Sequence, residues 1–483
     1  MKNLTCLLLL LFFAIIAHSQ NINFTDPVFK AKLLSTAPED FTALNLFGLP
    51  FKIDSNNDGE IDRGEAFMVR QLDVSQSGIS SIEGIQHFAN LKILYCLDNQ
   101  LTSTLDLHNL LALESVFCSN NKLTNINVSG LQNLFTLNCN YNLLTSLDVS
   151  GLKRLYQLNC DHNQLATFNF DGAIYLGYLK CNNNNLTNLN FNILPGLEIL
   201  DCSYNQLTTM ELYGLGITRL DCSHNLLNTL TITNFTSLEQ LYCSYNFIAK
   251  LDLTKINTDN FYRMFTRLEC NNNNLTGTFD FAPVSRLNYF NCANNGFTAF
   301  QNIDKCQYLN QINCSYNNFS LLNLNGAVGL NILNCAYNPT QSIYMKNVNN
   351  TFSIYMYENP NLQYICASPN KISYMQQMVT QEGYTNCVID SNCAFTLPIK
   401  NNIFEKSESI SVYPNPVKSI LNIVQNNILT ESISIYNSIG QLVLTIPNAK
   451  QTSTIDVSSL KTGNYFLKVV SDIGISNTKF IKD

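Results

Sequence analysis

The sequence predicts a repeat solenoid built on a parallel β-sheet, followed by a small all-β sandwich at the C-terminus. The first observation is a frame, L-x-x-L-x-C-x-x-N-x-L, that recurs twelve times at steps of mostly 20 to 22 residues. Because one short repeat cannot bury its own apolar face, this period indicates stacked repeats. The second observation is a change near residue 410 to short alternating strands between turn signals. The cysteines of the frame are Cys96, Cys118, Cys139, Cys160, Cys181, Cys202, Cys222, Cys243, Cys270, Cys292, Cys314 and Cys335.

Alternation within the frame predicts one short strand in each repeat. Leu137 and Cys139 alternate with Asn138 and Asn140, and this period of two places the first pair inside and the second pair outside. An asparagine follows every frame cysteine by three residues, where the chain leaves the strand, and stacked amides there satisfy turn backbone groups. The frame resembles leucine-rich repeats, and its cysteine column resembles internalin-J-like bacterial repeats. The resemblance implies a horseshoe whose concave face binds ligands.

The cysteine column has two interpretations. One is a row of thiolates for metal or redox chemistry, and the other is a row of small buried hydrophobic residues where such repeats usually have leucine. Side chains on successive parallel strands point the same way, which is poor geometry for disulfides. Metal ligands must converge on a point and not lie along a line. We therefore expect these thiols to be buried and free.

Composition and the N-terminus limit the classes of function. With a net charge of −7 and 13% charged residues, the chain has no basic footprint for nucleic acid. Met1–Gln20 has the form of a secretory signal, with Lys2, an apolar core, and small residues at Ala17 and Ser19. No later apolar run is long enough to span a membrane. We expect a secreted or surface-attached protein without a transmembrane segment after removal of the signal.

Residues 21–68 are expected to form a helical cap over the first repeat. Asp26 and Pro27 mark the start of a helix. Further on, Asp54–Glu65 (DSNNDGEIDRGE) matches the EF-hand calcium loop, including Gly59 at its sharp turn. The predicted ligands are the side chains of Asp54, Asn56, Asp58, Asp62 and Glu65 and the backbone carbonyl of Glu60.

The segment that enters this loop, Gly48–Phe51, is a poor helix. We therefore expect a single structural Ca²⁺ that clamps the cap, and not a paired sensor. Internalin caps resemble truncated EF-hands, which fits this placement. A surface turn rich in Asp and Asn, without an ion, is the alternative interpretation.

Residues 69–367 are expected to form the solenoid with fourteen strands, and an irregular step after Cys243 inserts Thr254–Met264. Residues 368–393 form the closing cap, with a helix over Ile372–Thr380. Cys306 is expected to be buried and free. Three further cysteines allow one disulfide in a secreted protein, and all three pairings stay open. They are Cys366, Cys387 and Cys393.

The last part of the chain has a different character. Residues 394–409 are predicted to be a linker and residues 410–483 a separate domain, whose marks include Val412–Pro416 (VYPNP), Gly463–Lys468 (GNYFLK) and Lys479–Lys482 (KFIK). Together these motifs resemble the C-terminal sorting domain of the type IX secretion system of Bacteroidetes. The resemblance implies export by that machinery, then release or attachment to the outer-membrane surface.

Two columns of the repeat are candidates for ligand contact. The residue before each cysteine supplies a largely polar floor that includes Lys180, Asp201 and Asp221. The residue two after each cysteine supplies a row of aromatic rings suited to protein or glycan contact. Packing along the strand-to-turn edge is the equally weighted alternative. The predicted ligand-binding tyrosines are Tyr141, Tyr204, Tyr245, Tyr316 and Tyr337.

Catalytic interpretations are weak. Asp201 and Asp221 lie on adjacent predicted strands as a conceivable acid–base pair, but Lys180 and Arg219 beside them favour a surface charge cluster. The sequence has no nucleophile elbow, phosphate loop or paired metal motif. The prediction is a non-enzymatic protein that recognises extracellular proteins or glycans through its concave face. A structural surface component without a discrete ligand is the alternative.

Overall fold

The chain folds as two compact units, residues 1–395 and 396–483. A computed structural model describes residues 20–214, 216–235, 237–256, 264–348, 352–393, 411–424, 430–437, 441–450, 452–471 and 474–483. The predicted signal peptide and linker lie outside these residues, as does most of the predicted insertion. In the part of the chain that is described, no helix is long and apolar enough to cross a membrane.

The first unit is a solenoid whose concave face is one long sheet. The sheet contains fifteen strands, of which the first, Ala43–Asn45, is antiparallel to its neighbour and the other fourteen are parallel. The predicted number of repeat strands is therefore confirmed. The parallel strands are Val69–Asp73, Ile93–Tyr95, Ser115–Phe117, Thr136–Asn138, Gln157–Asn159, Tyr178–Lys180, Ile199–Asp201, Arg219–Asp221, Gln240–Tyr242, Arg267–Glu269, Tyr289–Asn291, Gln311–Asn313, Ile332–Asn334 and Ser353–Tyr355.

Shorter strands and turns form the convex side. They pair in parallel in small groups and end in 3₁₀ turns in several repeats. The convex strands are Thr102–Asp106, Lys122–Asn127, Ser146–Asp148, Thr167–Asn169, Thr209–Tyr213, Thr229–Thr233, Thr276–Asp280, Gly296–Gln301, Leu321–Asn323, Ser342–Met345, Tyr364–Ala367 and Val388–Asp390. The 3₁₀ turns are Ile85–His87, Phe191–Ile193, Ala282–Val284, Ile303–Lys305 and Pro369–Lys371.

The core lies between the two sides and runs the length of the solenoid. In each repeat the middle residue of the concave strand and the frame cysteine point into it, as Leu137 and Cys139 do with no exposed surface. All twelve frame cysteines are at most 1% exposed and free. Burial raises the pKa of Cys139 to about 12, so its thiol stays protonated and unreactive at neutral pH. The cysteines are therefore packing residues, as the sequence predicts.

The asparagine column joins each repeat to the one before it. Asn142 illustrates the pattern, because its Nδ2 donates to the carbonyl oxygens of Cys139 at 3.1 Å and of Cys118, one repeat earlier, at 3.0 Å. Its Oδ1 accepts from the backbone N–H of Leu123, also in the earlier repeat, at 3.0 Å. One buried side chain thus satisfies backbone groups that the turn leaves without a partner.

The N-terminal cap is only partly helical. Its helices are Pro27–Leu34 and the short Arg63–Phe67, and the rest is turns with a single edge strand. The predicted helix start at Pro27 is therefore confirmed, but the structure contains less helix in residues 21–68 than the prediction of a helical cap implies. The reason is that the cap's main apolar residues, such as Ile53 and Ile61, are buried from loops.

The solenoid closes with a helix and two convex strands. The helix is Ile372–Gln381, one residue longer than the sequence predicted, and it buries Met375 and Val379. A disulfide joins Cys366 to Cys393 with a Cα–Cα distance of 5.1 Å, whereas Cys387 is half-buried and free. This is one of the three pairings that the sequence leaves open. Cys306 is buried and free, as expected.

The second unit is made of two antiparallel sheets around its own core. One sheet has three strands, Ser411–Tyr413, Ile420–Val424 and Thr454–Asp456. The other has four strands, Thr430–Asn437, Leu442–Pro447, Gly463–Ser471 and Gly474–Lys482. The core between them contains Val417, Leu421, Ile433, Ile435, Leu467 and Phe480. An all-β domain at this end of the chain agrees with the sequence prediction.

Candidate functional site

The concave floor is made by the outer two residues of each three-residue strand. In the strand Arg267–Glu269, Leu268 has no exposed surface, whereas Arg267 and Glu269 are partly exposed on the concave side. The residues one and three positions before each frame cysteine therefore form the floor. Equivalent positions of successive repeats are paired on neighbouring strands, so the residues at each repeat position form a row across the sheet.

Two arginines and two tyrosines form a continuous stack across the middle of this floor. We call Arg219, Tyr242, Arg267 and Tyr289 the Arg–Tyr strip. The guanidinium carbon of Arg219 lies 5.0 Å from the ring centroid of Tyr242. That of Arg267 lies 5.6 Å from the centroid of Tyr242 and 3.9 Å from that of Tyr289. These are cation–π distances, so the four side chains hold one another in place.

A carboxylate fixes the strip at Arg267. The Nε and Nη2 groups of Arg267 donate to Oε1 of Glu269 at 2.8 and 2.5 Å. Burial raises the pKa of the neighbouring Tyr289, which therefore keeps its hydroxyl proton at neutral pH. The strip thus presents two guanidinium groups and two phenol rings in one arrangement on the open face.

The predicted acid pair lies beside the strip and is tied to the turns. Asp201 and Asp221 are Cα partners on neighbouring strands. Oδ1 of Asp201 accepts from the N–H and hydroxyl of Ser203 at 3.1 and 2.7 Å, and Asp221 does the same with Ser223 at 3.1 and 2.6 Å. Burial raises the pKa of Asp221. The pair is therefore a fixed set of hydrogen-bond acceptors beside the arginines, in agreement with a charge cluster.

The five predicted tyrosines lie on the turn that follows each strand and not on the floor. All adopt the left-handed conformation, with φ values between 52° and 55°. They stack on the equivalent aromatic residue of the next repeat, as when His224 lies 4.0 Å from Tyr204 and 4.2 Å from Tyr245 between ring centroids. Stacking covers ring faces and leaves edges and hydroxyls open. The other stacked pairs are Tyr141 with His162 and Tyr316 with Tyr337.

The position of the five tyrosines on the turns matches the alternative interpretation, in which they pack along the strand-to-turn edge. The rings hold one turn against the next, and the two histidines belong to separate stacks. The tyrosines are 39% to 52% exposed, so they also border the concave face. Their contact with a ligand stays a prediction, and the floor beside them carries the partly exposed rings of Tyr242 and Tyr289.

The cap loop folds around two buried carboxylates. Asp54 is 4% and Glu65 7% exposed, at the two ends of the loop. Oε1 of Glu65 accepts from the backbone N–H groups of Ser55 at 2.8 Å and Asn56 at 3.3 Å, and Oε2 accepts from that of Asp62 at 3.1 Å. The loop backbone is thus wrapped around the Glu65 carboxylate.

The middle of the loop turns as the calcium-loop pattern requires. Gly59 has a φ of 79°, a conformation that few side chains tolerate. The N–H of Asp58 donates to Oδ1 of Asn56 at 2.8 Å and to Oδ1 of Asp54 at 3.2 Å. Oxygen atoms of the predicted ligands therefore already face the loop interior.

The donor set of the loop is made entirely of oxygen, which suits a hard cation such as Ca²⁺. Several of these atoms have local partners, because Lys52 Nζ lies 3.6 Å from Oδ2 of Asp54 and both carboxylate oxygens of Glu65 accept from the loop backbone. Throughout the described ranges, no three His, Cys, Asp or Glu side chains converge closely enough to hold a metal. The residue types fit calcium, and closer convergence of Asp54, Asp58 and Glu65 would be needed to bind it.

Sequence reasoning missed the Arg–Tyr strip. It considered the residues one before and two after each cysteine, whereas Arg219, Arg267 and Tyr289 stand three before it. The period of two that places Asn138 on the floor also places this column there. The same alternation therefore predicts a third outward-facing position, three residues before each frame cysteine.

Comparisons with known proteins agree with this architecture. Residues 411–483 match the family of secretion system C-terminal sorting domains. A leucine-rich-repeat protein of Leptospira interrogans is similar in structure, with a TM-score of 0.50, 19% identity, and coverage of 68% of this chain and 85% of that one. A search of the curated proteins finds no match to the sequence.

Two Listeria monocytogenes proteins are also similar in structure. The functional domain of InlJ, described as including a cysteine ladder, shares 23% identity over 88% of this chain and 93% of that one, with a TM-score of 0.48. The internalin InlF shares 18% identity over 73% and 99%, with a TM-score of 0.49. The sheet, the buried cysteine column and the matched domain define the chain, which combines a solenoid of the leucine-rich-repeat fold, with a column of buried cysteines, and a C-terminal sorting domain of the type IX secretion system.

Proposed function

We propose that this protein is a secreted or surface-attached binding protein that recognises an extracellular protein or glycan through the Arg–Tyr strip. The observation that carries the proposal is the strip itself, in which Arg267 stacks 3.9 Å from the ring centroid of Tyr289 on an open sheet. Arginine and tyrosine are enriched among the residues that dominate binding energy at interfaces. Side chains that are already ordered lose little entropy when a ligand binds.

Charge around the strip supports recognition of a specific partner. Lys180, Arg219 and Arg267 alternate with Asp201, Asp221 and Glu269 over five adjacent strands. A mosaic of both signs discriminates between partners more than it strengthens binding in general. A partner with complementary charges at this spacing would be selected, and like charges would be rejected.

Export is the second part of the proposal. The sorting domain at residues 411–483 supports delivery to the cell exterior by the secretion machinery, after removal of the predicted signal Met1–Gln20. The mature protein is then released or held at the outer-membrane surface. Either location brings the concave face to extracellular ligands.

A structural calcium ion in the cap is the third part. The all-oxygen donor set, the buried Asp54 and Glu65, and the turn at Gly59 support it. The ion would neutralise carboxylates next to the first repeat. In this role calcium stabilises the cap and does not contact the ligand.

The test is binding of the whole mature protein, in calcium, to a panel of immobilised extracellular proteins and glycans. We expect saturable binding to at least one class, weakened by Tyr242→Ala. Tyr213→Ala is the control, since Tyr213 also carries a solvent-accessible ring but lies on a convex strand, away from the strip. Equal melting temperatures would show that both variants fold.

The panel also addresses the structural alternative. A folded protein that binds nothing on the panel but assembles with itself in calcium would contradict recognition and favour a surface-layer role. Binding that Tyr242→Ala and Tyr213→Ala reduce equally would place the ligand away from the strip.

A further inference from the structure

Next to the Arg–Tyr strip, the last repeats present a row of identical amide groups. Asn291, Asn313 and Asn334 occupy the same outward strand position in three successive strands, and the register pairs Asn291 with Asn313 and Asn313 with Asn334. We call these three residues the amide track. Neighbouring strands of a sheet are about 4.8 Å apart, so the track repeats at that distance.

Each amide in the track is fixed in orientation. Oδ1 of Asn291, Asn313 and Asn334 accepts the backbone N–H two residues further on, at 3.2 Å in all three cases. Because the N–H group requires an oxygen acceptor, the other atom of each amide is the Nδ2 donor. Within the part of the chain that the structure describes, the three Nδ2 groups have no hydrogen-bond partner.

The strands that carry the track are uncharged, and the nearest charge in the same row is Glu269, which pairs with Asn291 from the preceding strand. The four strands from Tyr289–Asn291 to Ser353–Tyr355 contain no Asp, Glu, Lys or Arg, unlike the strands of the charge mosaic. Tyr355 pairs with the last amide and so continues the row at that end, whereas Tyr289 lies beside the first amide, two residues before it on the same strand. Tyr355 is 52% exposed.

An extended peptide does not match this spacing. Carbonyl groups on one side of a β-strand recur about every 6.7 Å, so each step against the track would be mismatched by about 2 Å. An anionic ligand would lose its hydration without a positive group in the track to compensate. Both ligand classes are therefore disfavoured here.

A linear neutral polysaccharide fits the track better. A 1,4-linked hexose chain advances by roughly the strand spacing per sugar, so each sugar meets one amide donor through a hydroxyl or ring oxygen. The aliphatic faces of sugar rings pack on tyrosine rings, which are present at the last end of the track (Tyr355) and beside its first amide (Tyr289). Neutral amides bind such hydroxyls without desolvating a charge.

We propose that the amide track binds a linear, uncharged glycan with one sugar per strand, and that Tyr355 holds the sugar at its last end while Tyr289 contacts the sugar beside its first amide. This inference rests on the proposed recognition function and names the ligand class for one part of the concave face. The donors point out from the sheet, so the acceptor atoms of the glycan lie on the side that faces the floor.

The test uses the whole mature protein and defined oligosaccharides. The probes are linear hexasaccharides of β-1,4-glucose, β-1,4-mannose and β-1,4-N-acetylglucosamine, with oligogalacturonate as a charged counterpart and an uncharged extended decapeptide. The variant is Asn313→Asp, which keeps the oxygen that caps the turn and replaces the outward donor with an acceptor. Asn159→Asp is the matched control, because Asn159 caps the same turn at 3.2 Å outside the track.

We expect saturable binding of at least one neutral hexasaccharide, at least tenfold weaker in Asn313→Asp and unchanged in Asn159→Asp. Affinity should rise from the disaccharide to the tetrasaccharide as the track fills. The inference is overturned if all neutral probes fail to bind, if Asn313→Asp and Asn159→Asp behave alike, or if the charged probe or the peptide is preferred.

The outcomes also separate this inference from the proposed function. A ligand that is lost in Tyr242→Ala and insensitive to Asn313→Asp would support the strip and reject the track. Melting temperatures and circular dichroism of each variant would confirm that a loss of binding is not a loss of fold. A folded protein without any ligand on either set of probes would contradict both proposals.

Discussion

At the scale of single residues, one carboxylate joins the cap to the first repeat. Oδ1 of Asp26 accepts from the N–H groups of Val28 and Phe29, which caps the first helix. Oδ2 accepts from the N–H and hydroxyl of Ser80 at 2.6 and 2.7 Å and from the N–H of Ser81 at 3.0 Å. Burial opposes ionisation of Asp26, but these hydrogen bonds outweigh it and lower its pKa to about 2.

We therefore predict that Asp26 stabilises the cap in a pH-dependent way. Its pKa is lower in the folded state than the ordinary 3.8, so its contribution is complete above about pH 4 and is lost as the pH falls towards 2. Asp26→Asn should lower the free energy of unfolding by about 2 kcal/mol at neutral pH. Melting curves between pH 2 and 7 should show the difference from wild type shrinking below pH 4, with Asp171→Asn as an exposed control. A difference independent of pH would contradict this account.

The asparagine column gives a second prediction at this scale. Nδ2 of Asn205 donates to the carbonyls of Cys181 and Cys202 at 3.0 and 3.1 Å, and its Oδ1 accepts from the N–H of Leu186 at 3.0 Å. Asn205→Ala leaves several buried groups without partners, and each costs about 1–3 kcal/mol. We expect a loss of about 3 kcal/mol or more and faster hydrogen exchange at Leu186.

The control for this prediction is Asn185→Ala, because Asn185 is exposed and makes one weak side-chain contact. It should change stability by less than 0.5 kcal/mol, as surface substitutions usually do. A small effect at Asn205 would show that water replaces the side chain at the turn.

At the scale of elements, the cap loop makes the calcium proposal testable. Glu65→Gln keeps a hydrogen-bond acceptor for Ser55 and Asn56 and removes the charge that a cation needs. When the calcium concentration is a hundred times its dissociation constant, we expect the free energy of unfolding of the wild type to rise by about 2.7 kcal/mol. Glu65→Gln should not show this increase. The measurement is the melting temperature with and without calcium.

Glu60→Gln is the matched control for the loop. Its predicted ligand is the backbone carbonyl, while its side chain pairs with Lys30 outside the loop. Calcium should therefore still stabilise this variant. If the calcium-dependent shift survives in Glu65→Gln, or is missing in wild type, the loop is an ordinary turn.

The strands of the solenoid show which structural features the sequence alone predicts at this scale. Period-two alternation predicted the fourteen parallel strands, because burial of Leu137-type and Cys139-type residues leaves only one register for each strand. The Arg–Tyr strip depends on contacts between repeats of unequal length. Tyr242 and Arg267 belong to neighbouring strands although 24 residues separate them, because Gln240 pairs with Arg267 across the irregular repeat.

The cap was less predictable for a similar reason. Asp26 and Ser80 meet across 54 residues, and no periodic pattern connects them. The sequence identified the calcium-like loop from local spacing, which needs no tertiary information. It could not identify the partners that hold the loop, such as Lys30 with Glu60.

At the scale of the whole molecule, two separate hydrophobic cores lie in one chain. The solenoid core continues from Ile22 to Val379, and the C-terminal unit has its own core that includes Leu421 and Phe480. We predict that protein ending at residue 400 melts at the same temperature as the solenoid transition of the full chain. Calorimetry of both forms checks this, and a markedly lower value in the shorter form would show that the sorting domain stabilises the solenoid.

The two units have separate roles in the proposed function. In the proposed function, the domain at residues 411–483 directs export and the solenoid provides the recognition surface. Its charged centre and neutral last repeats present two chemically different areas on one sheet. Distinct ligands, or distinct parts of one ligand, can therefore bind side by side.

The most direct test of the central claim is the affinity of the Arg219→Ala, Arg267→Ala double variant for the ligand found on the panel. Residues that dominate an interface cost at least about 2 kcal/mol each when truncated, so the two losses amount to about 4 kcal/mol and we expect affinity to fall by about 700-fold. Arg154→Ala, at an exposed arginine outside the strip, should bind like wild type. Unchanged affinity in a correctly folded double variant would contradict the assignment of the concave strip as the recognition surface.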